Sequence, residues 1–257
     1  MKKTAMGMAI AALVAAPAFA ASFVNGGFED GNTGSWSVAD SYYRAGVDNT
    51  TLTPALVLAS GSTGTHSAVI GTSYVDPNVG VALGDTVYGG NYAYRVEDTT
   101  WGGYASAISQ TVANYTDTDI FFAWKAVLLG AHGISDAATM RLTLRDDTDG
   151  VNLIDRTYNA ADDGTGVDAR FSVLNDNFYT PLWQIEQLSV AGLSGHTFTL
   201  SVLAADCQPT GHWGYVYLDG FGARIPDPGN NVPEPASLAL VGLGLAGLAA
   251  SRRRKNV

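Results

Sequence analysis

Few side chains in this 257-residue sequence stand at spacings that could do chemistry. Cys207 and His212 lie five residues apart in Ala205-Asp206-Cys207-Gln208-Pro209-Thr210-Gly211-His212-Trp213-Gly214-Tyr215. A thiol becomes a nucleophile beside an imidazole, so the pair admits that reading, and equally packing across a turn. His66, His132 and His196 show no metal-ligand spacing. Trp101-Gly102-Gly103-Tyr104 puts two aromatic rings in a glycine-rich stretch, with Arg95 and Asp98 near in sequence. Ring faces stack on the C–H faces of sugars while polar neighbours take the hydroxyls; rings in β-proteins also serve as core or turn plugs. Glu186 and the many aspartates offer carboxylates for a glycosidase acid and base, without a spacing that selects a pair. No Gly-x-Ser-x-Gly, His-Glu-x-x-His or phosphate-loop pattern occurs.

The elements that must position these residues read as strands. Met140, Leu142 and Leu144 alternate with Arg141, Thr143 and Arg145, and Phe198, Leu200 and Val202 alternate with Thr197, Thr199 and Ser201. That period of two predicts strands with one buried face. Ile120 to Leu129 is apolar on both faces except for Lys125, which predicts a central strand covered on both sides. Asp146-Asp147-Thr148-Asp149-Gly150 lies between two strand patterns and reads as a hairpin turn. It has the first residues of an EF-hand spacing and lacks the rest of that loop. No convincing amphipathic helix emerges. Many short strands with polar turns predict an all-β fold, a jelly-roll β-sandwich.

Between Ala21 and Asn231, eight Arg/Lys oppose twenty-three Asp/Glu, a formal charge of −15. With so few and scattered cations, nucleic acid and anionic lipid are poor partners. The acidity favours solubility and cation binding. Cys207 is the only cysteine, so no intramolecular disulfide forms and the core must carry the fold. Burial of the thiol is expected, since free cysteine behaves as a small hydrophobe; pairing between chains is the alternative.

Both ends read as targeting segments. Met1-Lys2-Lys3, an apolar run from Ala5 to Ala16 and Ala18-Phe19-Ala20 predict a signal peptide over 1–20, cut by signal peptidase after Ala20. A β-domain over 21–225 and a polar linker over 226–232 follow. Then come Pro233-Glu234-Pro235, an uncharged stretch Ala236 to Ala250, and Arg252-Arg253-Arg254-Lys255. A helix of that stretch is about 22 Å long at 1.5 Å per residue, short for a bilayer core of about 30 Å. The basic cluster predicts a cytoplasmic end and everything upstream outside. This order of motif, short glycine-containing helix and arginine-rich end resembles the PEP-CTERM sorting signal, over 233–255. The resemblance implies recognition by an exosortase-like enzyme, removal of the tail, and passage from an inner-membrane-anchored precursor to the cell surface or matrix, much as a GPI signal is removed.

A second resemblance concerns the domain. Asn25-Gly26-Gly27-Phe28-Glu29-Asp30-Gly31, followed by Trp36, is similar to the first strand of galactose-binding-like and carbohydrate-binding jelly rolls, and Tyr215-Val216-Tyr217-Leu218-Asp219-Gly220-Phe221 to their closing strand. Ile108-Ser109-Gln110-Thr111-Val112 also fits, and the longer Cys207–His212 motif resembles a segment of secreted bacterial β-domains of unassigned role. The resemblance implies first and last strands side by side and a structural Ca²⁺ between Glu29 and Asp219; the other reading of that pair is strand-end carboxylates capping turns. Together these expectations describe an exported, non-enzymatic protein that binds glycan, with Trp101 and Tyr104 as contact residues, or builds an envelope or exopolysaccharide matrix. The alternative is a secreted glycan-active hydrolase.

Overall fold

A computed structural model describes residues 22–222. The signal peptide expected over 1–20, the 226–232 linker and the 233–255 tail, with the helix expected over 236–250, lie outside the described residues. Twelve strands run in chain order: β1 (Ser37–Tyr43), β2 (Ala68–Gly71), β3 (Tyr92–Val96), β4 (Tyr104–Val112), β5 (Asp119–Leu129), β6 (Thr139–Asp146), β7 (Val151–Asn159), β8 (Ser172–Leu174), β9 (Asn177–Tyr179), β10 (Gln184–Ser189), β11 (Phe198–Ala205) and β12 (Gly214–Gly222). They form two antiparallel sheets, β1-β4-β11-β6-β7 and β2-β3-β12-β5-β9-β8, with β10 pairing the first half of β5. This is the expected jelly-roll sandwich.

The period-two patterns land as expected. On β6, Met140, Leu142 and Leu144 face the core; on β11, Phe198, Leu200, Val202 and Ala204 do. β5 is covered on both faces, because Phe122, Trp124, Ala126 and Leu128 enter the space between the sheets while Val127 packs outward under the 72–91 segment with Leu83, Tyr215 and Tyr217. Lys125 shares that outer face, and its ammonium donates to the carbonyls of Leu83 (2.5 Å) and Asp85 (2.9 Å). A charged residue is thus tolerated in a central strand because it satisfies the backbone of the segment that covers it. Asp146–Gly150 is the hairpin turn between β6 and β7, its Asp146 carboxylate accepting from the amides of Thr148 and Asp149.

Two expectations are corrected. A seven-residue helix, α1 (Pro54–Ser60), covers the outer face of the first sheet, with Val57 buried against Ala105, Ala107 and Leu203. Its signals are local: Thr53 caps the amide of Leu56, Pro54 opens the first turn and Gly61 closes it at φ +60. Seven residues are too few to show a helical stripe. The Asn25–Gly31 segment is not a strand and is not paired beside β12 as one. Asn25 (φ +50) and Phe28 (φ +56) turn it back on itself, and the first strand, β1, pairs with β4 in the other sheet. The segment nonetheless docks on the end of β12. The amide of Phe221 donates to Gly26 O (3.0 Å), and a Cβ on Gly26 would stand 1.9 Å from Phe221 O, so only glycine fits there.

Trp124 lies at the centre of the core, fully buried, stacked on Tyr158 (5.5 Å) and donating to Glu186 Oε1 (3.2 Å). Trp124→Ala removes that packing and is expected to cost about 3–5 kcal/mol in a denaturant melt. Stability near wild type would contradict the central placement.

Candidate functional site

The ends of β1, β3 and β11 and the starts of β4 and β12 meet at one end of the sandwich, and the chemistry-bearing residues gather there. Tyr104 opens β4 and packs edge-on against His66 (4.7 Å) and against Tyr43 (5.4 Å), which is 58% exposed at the end of β1. Trp101, 74% exposed, stands in the 97–103 loop that links β3 to β4. The two rings expected to touch ligand are therefore at one rim, Trp101 in solvent and Tyr104 half-buried.

Beneath them runs a chain of hydrogen bonds that sequence reasoning missed. His66 Nδ1 meets Glu97 Oε1 at 2.5 Å; Ser106 Oγ donates to Glu97 Oε2 (2.6 Å) or to Asp40 Oδ1 (2.8 Å), and Asp40 accepts from the amide of Ser67. Glu97 and Ser106 are fully buried. Asp40 also lines an open groove of about 400 Å³ with Asn32, Ser62, Thr63, Ser67 and Tyr94. Asp98 lies 3.6 Å from His66 Nδ1 and caps Thr100. Arg95 does not reach out to solvent, since its donors are used on Glu97 O, Tyr74 Oη and His66 O. Glu97 at φ +68 is a strained non-glycine position held by this network. The only sequence signal was the order His66, Glu97-Asp98 and Tyr104, with no fixed spacing to mark it.

The hydrogen bond to Glu97 is the main cause that raises His66 to about 9, and the charge of Glu97 adds to it against burial. Asp206, after β11, accepts from the amides of Tyr104 (3.2 Å) and Gly214 (3.3 Å), and burial pushes its carboxyl up to about 8. It is inside the frame and not presented to a ligand.

Glu29 and Asp219 converge, though not through paired strands. Asp219 Oδ2 accepts from the amides of Tyr88 and Gly89, and Oδ1 from Gly220; Glu29 accepts from Asn91 N, Asn91 Nδ2 and Tyr92 N. Asp219 thus staples the 88–92 segment to the end of β12, and Glu29 staples it to the 25–31 segment docked there. Burial, with the charge of Glu29 adding, raises Asp219 to about 7. The donors on this pair are N–H groups, so a Ca²⁺ ion there, which takes six to eight oxygens, requires the 88–92 carbonyls to turn inward.

The remaining candidates fall elsewhere. Glu186 is paired with Arg156 and Arg170 and bonded to Trp124, and Arg170 also pairs with Asp168. His196 caps Asp146 at the opposite end of the sandwich. Cys207 is buried, as expected, and contacts His212 across a tight turn. His132, which showed no ligand spacing, lies beside His212.

The shifts of His66, Asp206 and Asp219 set a pH dependence with one sign. His66 carries a folded pKa above its unfolded 6.5, so its contribution is complete below pH 6.5 and is lost as pH rises through about 9. Asp206 and Asp219, raised from 3.8 to about 8 and about 7, also lose stability as pH rises across those intervals. The melting temperature is therefore expected to fall between pH 6 and pH 8, above which Lys125, lowered from 10.5 to about 8, adds stability as pH rises and opposes the remaining His66 loss. The His66 part, for an imidazole a quarter exposed, is on the order of 2 kcal/mol, or roughly 4–8 °C. His66→Gln should flatten the limb above pH 7, and an unchanged limb would contradict the Glu97 pairing.

Comparison with known proteins adds two findings. Residues 231–255 match the PEP-CTERM protein-sorting motif. Curated proteins give no match. Among solved structures the chain is similar to TmCBM61, described in complex with β-1,4-galactotriose, at 14% identity and TM-score 0.38 over 77% of this chain and 94% of that one. It is similar to CBM28, described as a non-crystalline cellulose specific carbohydrate-binding module, at 15% and 0.38 over 80% and 94%. CBM27-1 of Caldicellulosiruptor saccharolyticus, in complex with mannohexaose, gives 13% and 0.38 over 79% and 96%. At such identity these likenesses concern fold and not ligand. The chain is a β-sandwich protein carrying a PEP-CTERM sorting motif at 231–255.

Proposed function

We propose that this is an exported, surface-sorted glycan-binding protein whose contact surface is the Tyr43–Trp101–Tyr104 rim. One observation carries the reading: exposed aromatic rings stand over a carboxylate network, His66–Glu97–Ser106–Asp40, that opens into a polar groove. Ring faces take the apolar side of a sugar, and Asp40, Asp98 and the groove hydroxyls take its polar edge. Binding is favoured over hydrolysis because Glu97 is spent on His66 and Ser106, and Glu186 on two arginines. A hydrolase needs two carboxyl groups facing one bond. A structural Ca²⁺ at Glu29 and Asp219 is a second element of this reading, supported by the convergence of both carboxylates on one segment.

The full-length chain in detergent, applied to a glycan array, is expected to bind a polysaccharide class and to lose about tenfold in affinity, ~1.4 kcal/mol, in Trp101→Ala or Tyr104→Ala. Trp101 is exposed, so its removal should leave the melt unchanged. Binding that survives both substitutions would move the contact surface elsewhere. An EGTA arm reads the calcium: a lower melting temperature that Asp219→Asn abolishes supports it, and an indifferent melt removes it.

We further propose that the tail is cut by an exosortase-like enzyme, so the mature surface protein lacks Arg252–Lys255. The motif at 231–255 supports this. Intact-mass analysis of surface-released protein is expected to show their loss, and a mass retaining them would overturn the processing step while leaving export intact.

A further inference from the structure

Beside the aromatic rim, two side chains of the 207–212 turn and one from the loop after β5 converge in a way that hydrogen bonding does not satisfy. His212 Nδ1 lies 3.2 Å from Cys207 Sγ and 3.2 Å from His132 Nε2, and the three atoms are all within 4.8 Å of one another. A ring nitrogen offers either one lone pair or one proton, so His212 Nδ1 can make a full hydrogen bond to only one of these neighbours. The other is left against it. A single metal ion accepts all three lone pairs at once. A tetrahedral zinc with Zn–N of about 2.0–2.1 Å and Zn–S of about 2.3 Å separates its ligands by roughly 3.3–3.6 Å, close to the two 3.2 Å spacings from His212 Nδ1.

The backbone holds this arrangement firmly. Past β5 the amide of Leu129 donates to Trp213 O (2.9 Å), which brings the His132 and His212 segments together. His132, at φ +68, is fixed by the bond from Asp162 N to its carbonyl (3.0 Å). Cys207 is folded back on His212 by the bond from its own amide to His212 O (2.8 Å) and by Thr210 N to Cys207 O (3.2 Å).

Arg44 lies against the same turn, bonded to the backbone of Asp206. Its side chain is fully buried and its guanidinium donates to Asp206 O (2.7 Å), Val47 O (3.1 Å) and Asn49 Oδ1 (2.9 Å), all neutral acceptors. Its Nε is the one buried side-chain nitrogen or oxygen without a partner among the described residues. Burial lowers the pKa of its guanidinium, and no carboxylate forms an ion pair with it among the described residues. A thiolate is the form of Cys207 that a metal binds. Burial raises the Cys207 thiol, so the metal-free protein keeps the proton and metal binding releases it. His132 and His212 each coordinate through the lone pair of a ring nitrogen.

We infer that His132, Cys207 and His212 bind one borderline-soft divalent ion of the zinc class, with a fourth position open to water or an outside ligand. The donor set of one sulfur and two nitrogens selects such an ion over calcium or magnesium, which take oxygens. The half-buried histidines leave the fourth position on the solvent side.

Cobalt provides the test, because its spectrum reports the ligands. The full-length chain, purified in detergent without a polyhistidine tag, reduced and stripped of metal, is titrated with Co²⁺. One equivalent is expected to give tetrahedral d–d bands and a thiolate-to-cobalt charge-transfer band, both bleached by one equivalent of Zn²⁺. Cys207→Ser should abolish the charge-transfer band. His132→Ala, a loop position, should keep that band while weakening affinity at least tenfold, and His212→Ala should do the same. Should Cys207→Ser fail to fold by circular dichroism, the two histidine variants decide. The absence of a thiolate band at one equivalent, or a band and affinity indifferent to both histidine substitutions, would overturn the assignment.

Discussion

The structure depends on how chain that lacks a ladder of its own is held against the outer faces of the two sheets. The 72–91 segment lies over one sheet and the 44–61 segment, with α1, over the other. Neither has a strand partner along most of its length, and backbone groups buried without partners are costly. Charged and polar side chains of the sheets and of the segments themselves supply those partners. Lys125 donates to Leu83 and Asp85, Asp76 accepts from its own Asn78 and Val79 amides and from the hydroxyls of Tyr215 and Tyr217, and Asp219 accepts from Tyr88 and Gly89. Arg44 does the same work for Val47 and Asp206.

That solution has an electrostatic consequence. Several of these groups face neutral partners, so burial is the main influence on their charge: Lys125 is lowered to about 8, and Asp206 and Asp219 are raised to about 8 and about 7. With a single cysteine and no disulfide, the chain has no covalent reserve against their titration. The segments that cover the sheets are therefore the parts whose attachment responds to pH, whereas the space between the sheets is apolar and indifferent to it.

Local periodicity explains what could be read from the residues alone. Met140–Leu144 and Phe198–Val202 declare one buried face, and Ile120–Leu129 declares two, because side-chain direction in a strand alternates whatever its neighbours do. Even the exception in that run, Lys125, marked the place where covering backbone needs a donor. Asn25–Gly31 misled because its glycines and Phe28 look alike in a strand and in a turn; the positive φ of Asn25 and Phe28 decides, and no pattern shows it. The clusters were less legible than the strands. His66 reaches Glu97 only because β2 pairs β3 (Ala68 opposite Arg95), and His132 reaches His212 only because β5 pairs β12 and the contact continues from Leu129 to Trp213. Those are long-range registers, and residue spacing carries no record of them.

Both candidate sites fall at the end of the sandwich that carries the β1–β2, β3–β4 and β11–β12 connections. At the opposite end β6 turns into β7 through Asp146–Gly150, a tight hairpin with its amides capped. At this end the chain between β1 and β2, between β3 and β4 and between β11 and β12 must pass over the core, and the passing segments are tied to one another. Arg44 N donates to Gly103 O, Gly211 N to Gly102 O, and Asp206 joins the amides of Tyr104 and Gly214. Asp206 precedes Cys207 and its carboxylate holds the first residue of the strand that carries Tyr104. The Trp101–Tyr104 rim and the Cys207–His212 turn are therefore parts of one braced unit. Such a unit presents rings and lone pairs in fixed positions, which lowers the ordering cost that a flexible loop would bring to binding.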